Sequence, residues 1–556
     1  MRRAVLCALV LQASACGSAG AGPVSDAAGV DGPTDAAAPD ATNGAMPPVD
    51  SSATVDGQSL RDTGVADAAG DGQSDASAAL QAHARADDAV EAMLLAFWDP
   101  TQQYLDATQG TTTLTGYWTE QQAWDAVLDA VERHPGGTRF TGTLATFYDV
   151  QNTIGWSRDY YDDENWATLA LIRAYDLTGN TAYLTQAEAL YANIMAAWDT
   201  TCCGAAPGGV WWDTAHTQKA TASNAGPVLS GARLYVRTKN MAYLTFAQQV
   251  FTYWAENMVD PTTYQVTDHI TSAGQKVAWK FTYNEGLMIG AAVALAQATG
   301  DATSLALAEH VAGFVESSET ETSSLGVILT DGSDTACTGD CMQFKGIAAR
   351  YLATLYQGDP GHPETLALLT RSADAAWTIA RDPTSHLYGS DWGAPFAAPA
   401  QLDATSSAAM TLAAVAILEG SAPADPPGVY EAEESVLHSV GLEALHGNFD
   451  GWGYVAGWNA DGQWVDFLVN VEAAAAYDLT FRYAAGAGDA TRLVYVNGEN
   501  AVANQSIPST GSWDTYATVT ATVSLTAGAN TVSLIYNSSL GSTNYVNLDR
   551  LSVTLH

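Results

Sequence analysis

The sequence predicts a multidomain protein in which a helical domain is followed by an all-β sandwich. Three observations lead to this prediction. The chain has 556 residues, which is more than one ordinary globular domain holds. Apolar residues recur with the helical period of 3.6 from Ala78 to about residue 420. After the Pro-rich segment 421–428, which we interpret as a hinge, the apolar period changes to two, as in β-strands.

The composition narrows the function classes before any motif is considered. The chain has 21 basic and 61 acidic residues, a formal net charge of −40. Such a surface repels phosphate backbones and anionic lipid headgroups, so we expect no nucleic-acid partner and no basic membrane patch. Hydrophobic residues make up 47% of the chain, which predicts a packed protein, but no aromatic residue precedes Phe97.

Residues 1–16 have the features of a secretion signal. A basic MRR start is followed by an apolar run that is too short to span a bilayer. The run ends in ASAC at Cys16, which resembles a bacterial lipoprotein cleavage site, although Ala13 stands where Leu is usual. We therefore expect a secreted or cell-surface lipoprotein of the bacterial outer membrane, with a lipid anchor at Cys16. Cleavage near Ala15 without a lipid is the alternative.

Residues 17–80 are predicted to be a disordered linker. They are mostly Ala, Asp, Gly, Ser, Thr and Pro, with ten Asp and one basic residue, Arg61. This composition cannot bury enough apolar surface to offset the entropy of ordering, and its like charges extend it. No later hydrophobic run approaches the length of a transmembrane helix.

The helical domain is predicted over residues 81–420. About eleven amphipathic stripes follow one another, and two pairs are joined by similar loops, TGN at 178–180 and TGD at 299–301. Such helical hairpins form either a solenoid or a closed ring, and periodicity alone does not choose between the two.

Two adjacent aspartates are the strongest chemical signal in this domain. Asp162 and Asp163 lie in GWSRDYYDDENW, directly before an apolar helix. Glycosidic cleavage needs one protonated and one ionised carboxyl group, about 5–5.5 Å apart in a retaining enzyme. Repulsion between neighbouring aspartates helps to separate their pKa values, and nearby aromatic rings offer faces for sugars. The alternative is that these acids only stabilise a helix start.

Four motifs in order resemble glycoside hydrolase family 76. They are YYDDENW at 160–166, GGVWWD at 208–213, TASNAG at 221–226 and FTYNEGLMIGA at 281–291. That family comprises endo-α-1,6-mannanases and related fungal cell-wall proteins, and the resemblance covers most of residues 95–420. It implies an (α/α)6 barrel and retaining hydrolysis of α-1,6-linked mannose. By position, Asp162 is then the nucleophile and Asp163 the general acid/base.

The resemblance also implies side chains that line the cleft and position mannose by stacking and hydrogen bonds. These are Trp211, Trp212, Tyr283 and Asn284. Core packing is the alternative for each aromatic residue. Glu285 adds a third carboxylate if it faces the cleft, and Asp213 and Asp391 are left unassigned. The chemistry needs no metal or other cofactor.

Four cysteines fall in the folded part of the chain: Cys202, Cys203, Cys337 and Cys341. In an oxidising compartment they can pair, and the last two can close a small loop. Metal binding is the rival interpretation, but no His lies at a suitable spacing beside either pair.

The β domain is predicted over residues 429–556. Segments such as GQWVDFLVNV and TRLVYVNG have strand lengths and are separated by Gly, Asn and Ser turns, which predicts a β-sandwich. The opening YEAEE, the central GSWDTYATVTATVSLTAGANTVSL and the closing NLDRLSV resemble the carbohydrate-binding modules of families 6 and 35. The resemblance implies a jelly-roll sandwich.

A cation site is predicted at the start of this domain. Glu431 and Glu433 share one face if they lie on one strand. If the first and last strands are neighbours, Asp549 joins them in an all-oxygen site suited to Ca²⁺. The resemblance implies a structural Ca²⁺ at these three residues. A solvated acidic edge strand is the alternative.

Sugar binding in such modules uses loop aromatics and an Asn at one end of the sandwich. The nearest matches are Tyr454, Trp513 and Asn547. Trp452 and Trp458 compete with Tyr454 for the first of these positions, and a buried Trp513 would be core.

Together these features predict a secreted glycoside hydrolase that cuts internal α-1,6 bonds of mannan and acts as a monomer, with an appended module that holds the polymer. Two alternatives stay open. One is a transglycosylase acting on mannose-containing glycans, and the other is a non-catalytic, carbohydrate-binding surface lipoprotein.

Overall fold

The structure is a computed structural model that describes residues 72–203, 207–332, 337–420 and 422–556. The predicted signal 1–16 with Cys16, and the predicted linker as far as residue 71, lie outside the described residues. The first helix begins at Gly72, so the last part of the predicted linker is helical instead. Its Ala-rich sequence explains this difference, because Ala has the highest helix propensity.

The helical domain is confirmed. Its helices are α1 Gly72–Phe97, α2 Tyr117–Arg133, α3 Thr141–Ile154, α4 Tyr161–Thr178, α5 Thr181–Ala196, α6 Thr221–Thr238, α7 Met241–Met258, α8 Thr282–Thr299, α9 Leu305–Ser318, α10 Phe344–Gly358, α11 Pro363–Ala375 and α12 Leu402–Leu418. Short strands lie in its loops: β1 Trp98–Asp99, β2 Tyr104–Leu105, β3 Gln218–Ala220, β4 His269–Thr271, β5 Lys276–Val277, β6 Thr320–Ser323 and β7 Gly326–Leu329.

Alternate helices form the centre of this domain. Each of α2, α4, α6, α8, α10 and α12 contacts the next in this series, and α12 contacts α2, so the contacts close a ring. The helices between them pack on the outside, for example α5 against α4 and α7 against α6. Two of the central helices, α8 and α12, are apolar around most of their circumference, as expected for helices surrounded by others. The contacts therefore favour a ring over an open solenoid.

The repeated TGN and TGD loops have a simple physical basis. Gly179 ends α4 in the left-handed conformation, with φ of 70°, where a side chain is disfavoured. The next residue, Asn180, begins α5 by accepting a hydrogen bond from Ala182 N at 3.0 Å. Asp301 accepts similarly from Thr303 N at 2.9 Å. Each loop thus stops one helix and starts its antiparallel neighbour within three residues.

The C-terminal domain is all-β, as predicted. Its strands are β8 Val429–Glu431, β9 Val436–His438, β10 Gly441–Glu443, β11 Tyr454–Ala456, β12 Trp464–Val471, β13 Ala475–Ala484, β14 Ala490–Val496, β15 Glu499–Ile507, β16 Ala517–Leu525, β17 Gly528–Ile535 and β18 Asn547–Leu555. One sheet has the order β10-β11-β18-β13-β16, with β8 on β18, and the other has β15-β14-β17-β12-β9. Alternating apolar residues of both sheets form a separate core.

The β domain is fixed on the helical domain by a polar and aromatic interface. Arg139, before α3, donates to Glu434 at 2.9 Å and to Glu91 of α1 at 2.7 Å. Phe140 stacks on Trp452, with ring centroids 6.4 Å apart. The described part of segment 421–428 is also anchored, because Ala422 N donates to Arg133 O at 3.0 Å. This interface makes the predicted hinge a fixed connection.

Among the described residues, no helix has both the length and the apolar content that crossing a membrane requires.

Candidate active site

The two adjacent aspartates lie in the first turn of α4, at one end of the ring. They face a cavity of about 760 Å³. Trp212 Nε1 donates to Asp162 Oδ2 at 3.1 Å, whereas Asp162 Oδ1 is buried without a hydrogen-bond partner among the described residues. The loop that carries Trp212 is bound to the helix start, because Tyr161 N donates to Trp212 O at 2.8 Å.

Glycines allow this loop to pack closely. A Cβ on Gly209, whose φ is 90°, would lie 2.4 Å from the ring of Tyr253. The GG of the GGVWWD motif therefore places the backbone that presents Trp212.

Both aspartates have a raised pKa. Burial is the main cause for each, and the charge of Asp162 raises the pKa of Asp163 further. The Trp212 N–H favours ionised Asp162, and the Arg158 guanidinium opposes the rise at Asp163. Acids that only stabilise a helix start have lowered pKa values, since the helix dipole favours their charged form. The direction of the shift therefore speaks against that alternative.

Aromatic rings form the walls of the cavity on both sides of the aspartates. They are Trp118, Tyr160, Trp166, Trp212, Trp279, Phe281, Tyr283 and Phe344. Tyr160 and Trp212 lie 4.7 Å apart between centroids, and Tyr283 and Phe344 lie 4.2 Å apart. Flat apolar faces beside a pair of carboxyl groups suit the C–H faces of sugar rings.

The prediction that Trp211 lines the cleft is wrong. Trp211 is buried, stacks on His216 with centroids 4.7 Å apart and lies under the Lys219 ammonium at 4.6 Å. Successive residues of an extended segment point in opposite directions, so only one of two adjacent tryptophans can face the cavity. Trp212 is the one that does.

Tyr283 lines the cavity, but Asn284 lies behind it. Both bind Asp268, an acid that the sequence analysis missed. Its Oδ1 accepts from Tyr283 OH at 3.1 Å and from Asn284 Nδ2 at 3.3 Å. Asp268 Oδ2 lies 2.7 Å from His269 Nδ1, and both residues reach the cavity. Asn284 is fully buried, so the prediction that it contacts the sugar directly is wrong.

The other acids considered from the sequence accept hydrogen bonds from backbone N–H groups and do not line the cavity. Glu285 is buried away from the cavity, where its Oε1 accepts from Val266 N at 2.7 Å, so it adds no third carboxylate. Asp213 accepts from Thr217 N at 2.8 Å, and Asp391 accepts from Gly393 N at 2.8 Å, both within turns. Among the described residues, the fourth acid of the cavity, after the aspartate pair and Asp268, is Asp340.

Both cysteine pairs are disulfides. Cys337–Cys341 closes the small loop expected from the spacing, and Cys202 pairs with Cys203. The loop closed by Cys337–Cys341 presents Thr338 and Asp340 to the cavity.

The strand pairing expected around the predicted cation site is present. Strand β8 pairs with β18, with Glu431 opposite Arg550, so the first and last strands are neighbours. However, the strand ends at Glu431, and a 3₁₀ turn, Ala432–Glu434, carries Glu433. The expectation that both glutamates share one strand face is therefore wrong, although Glu431 lies near Asp549.

Two of the three predicted ligands, Glu431 and Glu433, have carboxylate oxygens that suit a cation. Oε2 of Glu431 and Oε2 of Glu433 are buried and have no hydrogen-bond partner among the described residues. Burial and the neighbouring carboxylates raise the pKa of Glu431 to about 7 and that of Glu433 well above its usual range. Asp549 lies beside Glu431, accepts from Asp450 N at 2.9 Å and forms an ion pair with Arg482. A divalent cation would remove the repulsion among these oxygens.

The residues of the β domain that were predicted to bind sugar differ in their exposure to solvent. Tyr454 and Asn547 are buried, which contradicts a stacking role for the Tyr454 ring. Trp458 is buried and donates to Val546 O at 2.6 Å, and Trp452 packs on the helical domain. Trp513 is half-buried beside His446 at one end of the sandwich, so it alone among these aromatics keeps an accessible ring.

Residues 81–431 match the model of glycosyl hydrolase family 76, and residues 439–555 match that of carbohydrate binding module family 6. The fold resembles an α-1,6-mannanase of Salegentibacter sp. HEL1_6, with 23% identity, a TM-score of 0.56, and 61% of this chain and 99% of that chain covered. An inactive variant of that mannanase, in complex with α-1,6-mannotriose, has asparagine in place of two consecutive aspartates. At this identity the likeness shows the fold alone.

Two curated relatives match shorter parts of the chain. A putative mannan endo-1,6-α-mannosidase of Schizosaccharomyces pombe is 26% identical over 300 residues, which are 50% of this chain and 64% of that protein. An isomaltosyltransferase of Sporosarcina globispora is 40% identical over 126 residues, which are 22% of this chain and 11% of that protein. The chain thus spans about a tenth of the transferase and about two thirds of the mannosidase.

Proposed function

The chain belongs to glycosyl hydrolase family 76, and we propose that it hydrolyses internal α-1,6-mannosidic bonds of mannan. One observation carries the proposal: two adjacent aspartates with raised pKa values face a cavity of about 760 Å³ lined by aromatic rings. The replacement of consecutive aspartates in the inactive mannanase variant supports the assignment of the pair. A volume in the ~300–1,000 Å³ range of small-molecule sites leaves room for several sugar units.

The surroundings of each carboxyl support different roles for the two aspartates. Trp212 N–H favours ionised Asp162, which suits a nucleophile. The Asp162 charge keeps the proton on Asp163, which suits a general acid. Asp162 would attack the anomeric carbon while the glycosidic C–O bond breaks and the Asp163 proton moves to the leaving oxygen. Asp163 would then take a proton from water, and the resulting hydroxyl would displace Asp162 with net retention.

The wider architecture is consistent with this activity. We propose that the closed ring of helices is an (α/α)6 barrel with the cleft at its Asp162 end. The β domain would be a jelly-roll module that binds the same polysaccharide near Trp513 and holds a structural Ca²⁺ at Glu431, Glu433 and Asp549. The basic and apolar start of the chain supports export as a lipoprotein anchored at Cys16, and we propose a monomer.

Transfer of a glycan to a sugar acceptor is the second candidate. The 40% identity to an isomaltosyltransferase favours it, but that match of 126 residues is too short to contain the helical domain. Larger products than the substrate would identify transfer.

The proposal is tested by incubating the protein with unbranched α-1,6-mannan and following products by size and by anomeric NMR. We expect short oligosaccharides that appear first as the α-anomer. Asp162→Asn and Asp163→Asn should abolish them, whereas the matched control Asp391→Asn, which changes only a turn, should not. Retention of the polymer without any products would contradict the proposal and favour a binding protein.

A further inference from the structure

Trp279 is an exposed tryptophan at the edge of the candidate active site. It lies in the short connection between β5 and α8 and is 56% exposed. Tyr283, which lines the same cavity, is only 9% exposed. Large aromatic side chains are usually buried, and one left exposed beside a cleft indicates a contact surface for a ligand.

The position of Trp279 is fixed by its neighbours. Its ring meets the edge of His269 with centroids 5.2 Å apart and that of Phe281 with centroids 5.8 Å apart. His269 is itself hydrogen-bonded to Asp268. In the β4–β5 pair it lies opposite Val277, which precedes Trp279 by two residues. Gln265 Nε2 also donates to Ala278 O at 3.2 Å, which ties down the preceding residue. The exposed ring is therefore presented by a defined support.

This support connects Trp279 with the centre of the cleft. Asp268 binds both His269 and the hydroxyl of Tyr283, so a continuous row of contacts runs from Tyr283 outward to Trp279. Tyr283, Asp268 and His269 are buried whereas Trp279 is exposed, which places Trp279 at the mouth of the cavity. A sugar on Trp279 is then a unit outside the scissile bond.

We propose that Trp279 is a stacking platform for an outer pyranose of the substrate and makes the enzyme prefer longer oligomers. This inference rests on the proposed function and names a specificity-determining residue of the same site. An indole face suits the C–H face of a hexopyranose. The acids of the cavity, including Asp268 and Asp340, would repel uronic acids, so the outer sugar is expected to be neutral.

The test compares substrates of different length. For α-1,6-mannohexaose, Trp279→Ala should lower kcat/KM about ten-fold, which corresponds to about 1.4 kcal/mol. For α-1,6-mannobiose, kcat/KM should change less than two-fold. Trp279→Phe should recover most of the loss because it keeps a flat ring. Met241→Ala is the matched control, since Met241 is 57% exposed on the same domain but does not line the cavity.

Binding measurements separate this inference from the activity. In the Asp162→Asn, Asp163→Asn background, calorimetry should show Trp279→Ala weakening the hexaose and leaving the biose unchanged. Equal losses for both lengths, or no loss for either, would overturn the platform even if the wild-type protein hydrolyses mannan. A wild-type protein that neither cleaves nor binds α-1,6-mannooligosaccharides would overturn the proposed function and the platform together.

Discussion

Removal of a single N–H group should change the protonation of the proposed nucleophile. In Trp212→Phe, Asp162 Oδ2 loses the indole donor at 3.1 Å, and Oδ1 already has no hydrogen-bond partner among the described residues. The half-buried carboxylate would then have neither oxygen bound by a side chain. A phenyl ring keeps an aromatic contact with Tyr160, whose ring is tilted against that of Trp212 with centroids 4.7 Å apart.

The size of the effect follows from the charge on the acceptor. A hydrogen bond to a charged group contributes about 1.5–3 kcal/mol, which corresponds to a factor of about 10–150 in rate. Because the N–H stabilises the ionised form, its loss raises the pKa of Asp162. A nucleophile must be ionised, so the acidic limb of the pH–rate profile should move to higher pH, by about 1–2 on the pH scale.

The assay is kcat/KM on α-1,6-mannotetraose between pH 4 and 9, at intervals of about 0.5. Trp118→Phe is the matched control, because Trp118 also lines the cavity but donates to neither aspartate in the described hydrogen bonds. An unmoved acidic limb in Trp212→Phe, or an equal movement in Trp118→Phe, would refute the role of this hydrogen bond.

Three further changes have expected outcomes. Asp340→Asn removes a charge that raises the pKa of Asp163, so the basic limb of the pH–rate profile should move to lower pH; an unmoved limb would contradict this. Glu433→Gln should abolish the stabilisation by the proposed Ca²⁺, which is about 2.7 kcal/mol when Ca²⁺ is in 100-fold excess over its Kd. In the wild type this stabilisation is measured as the shift in Tm on adding EGTA. Arg139→Met leaves Glu434 buried with its ion pair broken, so chemical denaturation should show a loss of about 3 kcal/mol. Arg371→Met is the control, because Arg371 is half-buried and its hydrogen bond to Val327 O is exposed to solvent.

Local sequence could predict residues that act within one element. Asp162 and Asp163 are adjacent, and the turn before an apolar helix places both at one helix start. The TGN loops likewise carry their own helix stop and start signals. In each case the residues that determine the local structure are neighbours in the sequence, so the local sequence was sufficient to predict it.

The parts that sequence could not provide depend on distant contacts or on side-chain direction. Asp268 and Trp279 reach the cavity through strands that pair in the loop between α7 and α8, with no local motif to mark them. Choosing between Trp211 and Trp212 required the direction of an extended segment. The cation site was predicted with a wrong local geometry, because nothing in YEAEE shows that the strand ends at Glu431.

The interface between Arg139 and Glu434 has a consequence for how the two domains can share one polymer. A module on a flexible tether searches a volume, and its benefit depends on tether length. Here the module is held in one orientation, so a glycan strand bound at the proposed Trp513 site would have a set direction relative to the cleft. If that direction matches the cleft, the module guides the strand being cut. If it does not, the module instead anchors the enzyme to a neighbouring strand and leaves the cleft free to act on whatever lies alongside.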